Sequence, residues 1–575
     1  MPIHNTDIAE IFNRVADFLE LEEANQFRIR AYRNAARTVG SLSRSVSDMI
    51  EQNEDLSELP GIGKDLAGKI TEIVETGTLK QLKELEKRLP SGLLELMTIA
   101  DLGPKRVVVL HKELGINTLE ELEKAAREEK IRQIQGFGEK TEQNIIEALQ
   151  RQKGGEAKPR IKLIVAEEIT QPLLEYLRNV EGVKKVIAAG SYRRRRETVG
   201  DLDILVTCKE SSKVMEQFVE YEDVQKVISK GETRSSVLLR SNFQVDVRVV
   251  AEESYGAALH YFTGSKAHNI AVRRLAQKRD LKVNEYGVFK NDKRVAGKSE
   301  EDVYATVELP YIEPELRENR GEIETAREGS LPELITLEDI RGDLQSHTTY
   351  TDGKFTLEEM VEAAKNKGYD YLAITDHSKR VYMAKGLDAK RLAEQLEEVE
   401  KLNEELKDFR ILKSSEVDIL EDGSLDLPDD ILKALDVVVC SIHYNFKLSR
   451  EKQTERIIRG MDNPYFNIFA HPTGRLIGQR EPYDLDLERI MEAAKERGCF
   501  LELNAQPERL DLSDVHVKMA KEMGIKIAIS TDAHTISDLD YMRFGIGEAR
   551  RGWLEPDDVL NTQKWNDLKK LLTRT

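Results

Sequence analysis

Residues 200–206 read GDLDILV, a run whose only charges are two aspartates two positions apart. A strand turns successive side chains to opposite faces, so Asp201 and Asp203 share one face while Leu202, Ile204 and Val206 fill the other. Such a segment folds only where one face meets a core and the other meets compensating charge. A second run, QVDVRVV (244–250), offers a third carboxylate, Asp246, in an equally apolar setting. Three carboxylates converging from neighbouring strands suit two divalent cations, Mg or Mn. Such a pair activates an attacking hydroxyl and stabilises the leaving oxygen of an in-line phosphoryl displacement.

Just upstream lies GSYRRRRETV (190–199), with four consecutive arginines in a chain of net charge −18. The total hides an asymmetry. Residues 1–300 hold 49 Lys+Arg against 48 Asp+Glu, whereas 301–575 hold 38 against 57. A polyanion is therefore expected to bind within the first 300 residues. Backbone N–H groups at Gly190 and Ser191, a hydroxyl and a planar guanidinium suit a triphosphate tail. Arg194 is the expected triphosphate ligand, with Arg193, Arg195 and Arg196 either solvated or on backbone phosphates.

A length of 575 residues predicts three or four domains, and the hydrophobic period changes accordingly. Residues 1–150 read as successive short helices, interrupted by LPGIGKDLAGKI (59–70), IADLGPKRVVVL (99–110) and IQGFGEKTEQNII (134–146), a short internal repeat. Strands dominate from about 160 to 310. Residues 312–339 are polar, acidic and almost free of aromatics, and read as a linker. Beyond them strands and helices alternate, which predicts a parallel sheet or barrel. Three scattered cysteines, an N-terminus unlike a signal peptide and the lack of a long apolar run predict a reduced, cytoplasmic protein with no membrane segment.

The string G-S-x-x-R-x-x-x-x-x-G-D-x-D, at Gly190, Ser191, Arg194, Gly200, Asp201 and Asp203, resembles the active-site signature of family X DNA polymerases. A second signature follows in YFTGSKAHN (261–269). The resemblance implies that Tyr261 and Phe262 line the sugar and hinder a ribose 2′-OH, that Gly264 makes a close approach, that Asn269 touches the base edge and that Arg273 reaches the templating position. Two departures stand out: Lys266 where several members have Asp, and Gln244 where well-known members have a basic residue. The glycine turns resemble helix-hairpin-helix motifs, which hold a phosphate backbone through turn N–H groups and a helix N-terminus, sometimes with a monovalent cation. Gly61, Gly63, Lys64, Gly103, Lys105, Gly136 and Gly138 are the DNA-binding candidates there, and Asp101 replaces the first glycine of the middle copy. NQFRIRAYRNAARTVG (25–40) resembles the 5′-phosphate pocket of gap-filling members and adds Arg28 and Arg33. Lys69 matches the Schiff-base lysine of repair members and is the lyase candidate. Phe27 and Asp65 stand where the best-known members have His and Lys, which favours a DNA-contact or structural lysine.

Six of the ten histidines follow residue 340, and five of these lie in the short motifs DLQSHTTYTDG, ITDHS, SIHYNF, FAHP and STDAH. Together with Glu416 in SSEVDI, they put His347, Asp352, His377, Glu416, His443, His471, Asp532 and His534 at strand ends, where a β/α barrel gathers ligands. Imidazole with carboxylate and no thiolate suits Mn, Zn or Fe. Their order is similar to that of the polymerase-and-histidinol-phosphatase (PHP) domain, a distorted β/α barrel whose site holds two to three metal ions and hydrolyses phosphoesters. That family often opens with His-x-His, whereas here the first position is Gln345, a weaker ligand.

The resemblance thus implies six regions. These are a helical DNA-binding domain (1–88), helical fingers (89–155), an α+β nucleotidyltransferase palm (156–250), a thumb (251–315), a linker (316–337) and a PHP barrel (338–575). The expected activity is template-directed DNA synthesis from deoxynucleoside triphosphates in gap-filling, base-excision type repair. The barrel is expected to act as a 3′–5′ exonuclease and on abasic sites. The alternatives are a template-independent nucleotidyltransferase and a DNA-binding scaffold with idle sites. His516 is expected at the surface, and His260, His268 and the three cysteines in structural roles.

Overall fold

The computed structural model describes residues 5–574 except 23, 41, 43–45, 91, 98, 100, 101, 135, 140, 144, 147, 148 and 150–159. Asp101 and the expected boundary at 155/156 lie outside the described residues. The chain divides into two compact units, Met1–Pro159 and Arg160–Thr575.

The first unit is helical. Amphipathic segments such as Asn5–Leu21, Gln26–Gly40, Lys64–Thr76 and Pro104–Leu114 enclose a core that includes Phe12, Tyr32, Ile70, Leu85 and Val107. Gly77 and Gly115 end two of these helices in the left-handed conformation, which costs glycine no Cβ clash.

The second unit begins with a five-stranded sheet. Its strand Leu202–Cys208 lies between Val183–Ala188, which runs antiparallel, and Gln244–Val249, which runs parallel. That parallel register puts Asp203 opposite Asp246. The helices Tyr255–Thr263 and Lys266–Gln277 and a small three-stranded antiparallel sheet follow.

The linker expectation for 312–339 is corrected. Ile312, Leu316, Arg317, Glu322 and Ile323 are all buried, and Glu322–Glu328 is a helix. Composition misled because the acidic groups are consumed internally. Glu322 accepts from the backbone N–H of Asn319 and Arg320 and sits 2.7 Å from His268 Nδ1. Arg317 donates to Glu300 at 2.5 Å and to the Ile312 carbonyl at 2.8 Å. The segment is a packed seam rather than a spacer.

The C-terminal sheet has seven strands in chain order, each parallel to the next, from Gly342–Asp343 to Ile527–Ser530. A parallel bridge between Ser346 and Ala533, and a 2.8 Å bond from His347 N–H to the Ala533 carbonyl, join first to last and nearly close a barrel. Its strands are almost wholly buried, as a parallel sheet covered by helices requires. Among the described residues no helix is long and apolar enough to cross a membrane.

Candidate active sites

The palm site is built on the paired strands. Asp201 is exposed just before the strand, and Asp203 is half-buried on it. Burial, followed by the charges of Asp201 and Asp246, raises the Asp203 carboxyl to about 6. Asp246 is turned toward protein donors. Ser236 and, at 3.4 Å, Arg234 reach its Oδ1, and Gln244 donates to Oδ2 at 3.0 Å. Gln244 therefore holds the third aspartate, and the cation beside it comes from Arg234 on the adjacent strand, aligned opposite Arg248. Sequence reasoning missed Arg234, Ser236 and Arg248. Alternation within RSSVLL and QVDVRV carried that signal, but pairing the two strands required the fold.

The turn beside these acids is tight. Gly190 has φ +64°, and a Cβ there would lie 3.5 Å from Asp203 Oδ2. Ser191 is the second residue of the short helix Gly190–Arg193. At Gly200 a Cβ would collide with the Arg160 guanidinium, which donates to Thr198. Tyr261 and Phe262 end their helix half-buried, the Arg273 guanidinium lies 5.1 Å from the Tyr261 ring, and Arg248 lies 4.4 Å from the Phe262 ring. Asn269 donates to the Tyr261 carbonyl at 2.7 Å, and Gly264 has φ +72°.

The arginine run is corrected. Arg193 grips Glu300 with two bonds, at 2.6 and 3.0 Å, and Arg195 pairs with Glu167. Arg194, expected at a triphosphate, donates to Glu318 at 3.0 Å and to the Thr263 carbonyl at 2.5 Å. Glu318 also accepts from Arg551 at 3.1 Å, and Arg551 pairs with Asp514, which takes Arg320 at 2.6 Å. Burial opposes the Glu318 charge, yet Arg551, Arg194 and Arg196 hold its carboxyl at about 2. A desolvated guanidinium needs a carboxylate, so Arg193 and Arg194 bind the palm to the segments after it.

In the barrel every strand but the sixth delivers a ligand candidate to one rim. Glu416 is the hub. His377 Nδ1 lies 3.1 Å from its Oε2 and His471 Nε2 3.0 Å from its Oε1, with His347 and His443 each at 3.5 Å. Asp352 lies 3.5 Å from both His377 and His534, and Asp532 lies 3.0 Å from His347. Burial opposes the charge on His534, but Asp352 and Asp532 raise it to about 9. Burial and the neighbouring His534 and His377 instead push His347 down. The sixth strand orients the others. Glu502 accepts from the His471 backbone N–H at 2.7 Å, and Asn504 donates to Glu502 at 3.2 Å and to Asp532 at 3.1 Å. His471 and Asp532 hold positive φ, +30° and +52°, strain that surrounding contacts must sustain and that clusters at working sites.

Three groups in this rim have one ligand atom per residue within 4.8 Å of one another: His347–Asp352–His377–His534, His377–Glu416–His443 and His347–Glu416–Asp532. The buried ring nitrogens of His347, Nδ1 of His377 and Oε2 of Glu416 lack hydrogen-bond partners, as do both side-chain polar atoms of Gln345. This donor set fits divalent metal ions. The palm acids are not among these groups, and the oxygens of Asp246 accept from Ser236, Arg234 and Gln244. Their hard oxygens nonetheless suit Mg or Mn.

In the first unit, Gly61 and Gly136 have φ of +79° and +90°, and Gly63 and Gly103 stand just before the helices Lys64–Thr76 and Pro104–Leu114. Nothing lies within 4 Å of a Cβ built at Gly63, Gly103, Gly136 or Gly138, so internal packing does not demand glycine there. Lys64, Lys105 and Arg28 are exposed. Arg33, expected on DNA, is instead held by Asp17 and Glu20. Lys69 pairs with Asp65 at 2.5 Å and lies 6.0 Å from the Tyr32 ring. His516 is also corrected: it is half-buried beside Ser513, and burial lowers its pKa. His268 is buried between Glu322 and Tyr304, and His260 is buried beside it.

A palm with paired acids on adjoining parallel strands and a barrel with a histidine–carboxylate rim define a nucleotidyltransferase joined to a metal-dependent hydrolase. Family models agree across the chain. They match a helix-hairpin-helix domain at 3–79, a helix-hairpin-helix tandem at 93–151, a DNA polymerase beta palm at 160–275, a DNA polymerase beta thumb at 258–318 and a PHP domain at 343–506. The chain is 40% identical to the DNA polymerase/3′-5′ exonuclease PolX of Bacillus subtilis (strain 168), over 100% of both chains. A probable phosphatase of Thermoanaerobacter sp. (strain X514) is 33% identical over 38% of this chain and 89% of its own. A probable phosphatase of Caldanaerobacter subterraneus is 34% identical over 34% of this chain and 77% of its own. The chain belongs to the family X DNA polymerases that carry a C-terminal PHP domain.

Proposed function

We propose that the chain fills short gaps in DNA by adding deoxynucleotides to a primer 3′-OH, and trims 3′ ends through its barrel. The observation that carries the synthetic half is the register of Asp203 with Asp246, with Asp201 two residues before. Divalent ions such as Mg or Mn, when bound, would lower the pKa of the attacking hydroxyl and offset the charge of the leaving pyrophosphate. Asp201, Asp203 and Asp246 are the residues that hold them. Gly190 and Ser191 cradle the triphosphate, and Arg234 and Arg248 supply the positive charge at the acids' edge. Tyr261 and Phe262 face the sugar, Gly264 keeps the approach open, and Asn269 and Arg273 steer base and template. The exposed glycine turns of the first unit grip the DNA backbone without reading sequence.

For the barrel, His347, Asp352, His377, Glu416, His443, His471, Asp532 and His534 hold two to three ions of Mn, Zn or Fe. Gln345 completes the rim as a weaker oxygen donor. When bound there, such ions would lower the pKa of an attacking water for phosphodiester hydrolysis. Asn504 and Glu502 fix the orientation of Asp532 and His471, and the Glu416 hub keeps the surrounding imidazoles facing inward.

Extension of a primer across a one-nucleotide gap tests the reading, with Mg and Mn compared and the template base varied. Incorporation that follows the template supports it, and mixed incorporation on gapped and single-stranded DNA alike rejects it in favour of untemplated transfer. Trimming of a 3′-labelled strand in Mn tests the barrel separately.

A further inference from the structure

Tyr382 and Met383 are 84% and 87% exposed, the most exposed large apolar side chains among the described residues. They cap a loop, 378–387, that starts directly after His377. The loop is built rather than slack. Ser378 and Leu387 form a parallel bridge at its neck, and Leu387 N–H donates to the His377 carbonyl at 2.7 Å. A side chain at Gly386 would run into the Ser378 carbonyl. Val381 and Ala384 are buried beneath, and Tyr382–Ala384 forms one helical turn.

The loop is also tied to two other ligand-bearing segments. Arg391 donates to the carbonyls of Lys385 at 2.7 Å and Gly386 at 3.3 Å, and to that of Tyr350, two residues before Asp352, at 2.8 Å. The Arg380 guanidinium lies 5.1 Å from the ring of Tyr444, the neighbour of His443. Tyr382 lies five positions after His377, a reach of at most about 18 Å. Charge singles the loop out too. Residues 378–391 carry five basic groups (Lys379, Arg380, Lys385, Lys390, Arg391) against Asp388 alone, although 301–575 as a whole hold 38 basic against 57 acidic.

A rigid loop that keeps an aromatic and a thioether in water beside exposed cations matches the chemistry of single-stranded nucleic acid, whose bases offer free faces and whose phosphates offer charge. A duplex hides those faces. We propose that this loop is the platform that receives an unpaired DNA 3′ end at the barrel rim. Tyr382 stacks on a base upstream of the terminal nucleotide, with Met383 against its edge, and Lys379, Arg380 and Lys385 meet the phosphates. This rests on the reading of the barrel as a 3′ exonuclease and names the side chains that would receive the unpaired end.

The test uses the full-length protein in Mn with three substrates: a single-stranded oligonucleotide, the same strand in blunt duplex, and bis(p-nitrophenyl) phosphate, which has no base to stack. In the Tyr382→Ala/Met383→Ala variant, KM for the single strand rises about tenfold or more. Its kcat, and both parameters for the small diester, stay unchanged, and Tyr382→Trp retains the wild-type KM. An unchanged KM for the single strand, or an equal rise for the small diester, overturns the proposal. A second readout needs no turnover. An oligonucleotide with 5-iododeoxyuridine next to its 3′ end is irradiated with the protein in EDTA, and the adduct is mapped by mass spectrometry. Adducts at Tyr382 or Met383 support the platform, and adducts confined to other residues overturn it. If the wild type cleaves neither oligonucleotide nor small diester, the exonuclease reading falls while the crosslink still decides the platform.

Discussion

The palm and the barrel solve one electrostatic problem in opposite ways. The palm gathers three carboxylates of like charge. Asp203 is pushed up to about 6, and Asp246 turns its oxygens to Ser236, Arg234 and Gln244. The barrel mixes imidazoles with carboxylates, so its ligands attract one another, and Glu416 is held well below the usual carboxylate range by His377 and His443 despite burial. Clustered carboxylates repel one another unless cations sit beside them, whereas mixed imidazoles and carboxylates hold one another in place. The first suits a centre that takes up metal with each nucleotide, the second a resident cluster.

That contrast has its sharpest test in Asp203→Asn and Glu416→Gln. The first should lower single-turnover incorporation on gapped DNA at least about a hundredfold and leave trimming intact. The second should abolish trimming and spare synthesis. Glu416→Gln should also destabilise the metal-free protein by about 3–5 kcal/mol, because it strips the counter-charge from buried imidazoles. Asp203→Asn should leave stability equal or higher, since it relieves repulsion. Equal urea midpoints for both variants would break the comparison. Next in size, Glu318→Gln should cost about 3–5 kcal/mol in urea unfolding of 160–575, because it leaves Arg194 and Arg551 buried without their shared partner. A loss under 1 kcal/mol would show that the seam is solvated. A finer probe is Gln345→His. With the ring nitrogen it adds, the barrel should retain one further Mn ion after gel filtration, read by elemental analysis, and the palm should retain none. The smallest effects belong to the first unit. Arg33→Ala, which breaks an internal pair, should cost under about 1 kcal/mol and leave DNA affinity unchanged. Arg28→Ala should weaken DNA binding and reduce its salt slope by about one.

Much of the barrel was legible from sequence because its candidate ligands sit in short motifs at the ends of apolar strands, and strand-end placement alone converges them on a rim. His347, His377, Glu416, His471 and Asp532 meet as their spacing suggests. The palm was legible to the level of the two signatures. What could not be read was which groups answer them: Arg234 and Ser236 reach Asp246 only because strand pairing brings them across, and no local pattern marks that register. Glu502 and Asn504 escaped for the same reason, acting through His471 and Asp532 rather than as ligands.

By itself the sequence determined the chemistry on offer: which strands carry carboxylates on one face, which strand ends carry imidazole, and where glycine turns open helices. Alternation and periodicity are local, so they survive without knowledge of partners. Only the tertiary structure decided what the charges do. The four arginines beside the palm look like a hand for phosphate, and the acidic stretch after the thumb looks like a spacer. In the folded chain Glu300 takes Arg193, Glu318 takes Arg194 and Glu167 takes Arg195, since a buried charge takes the nearest opposite charge, however distant in sequence.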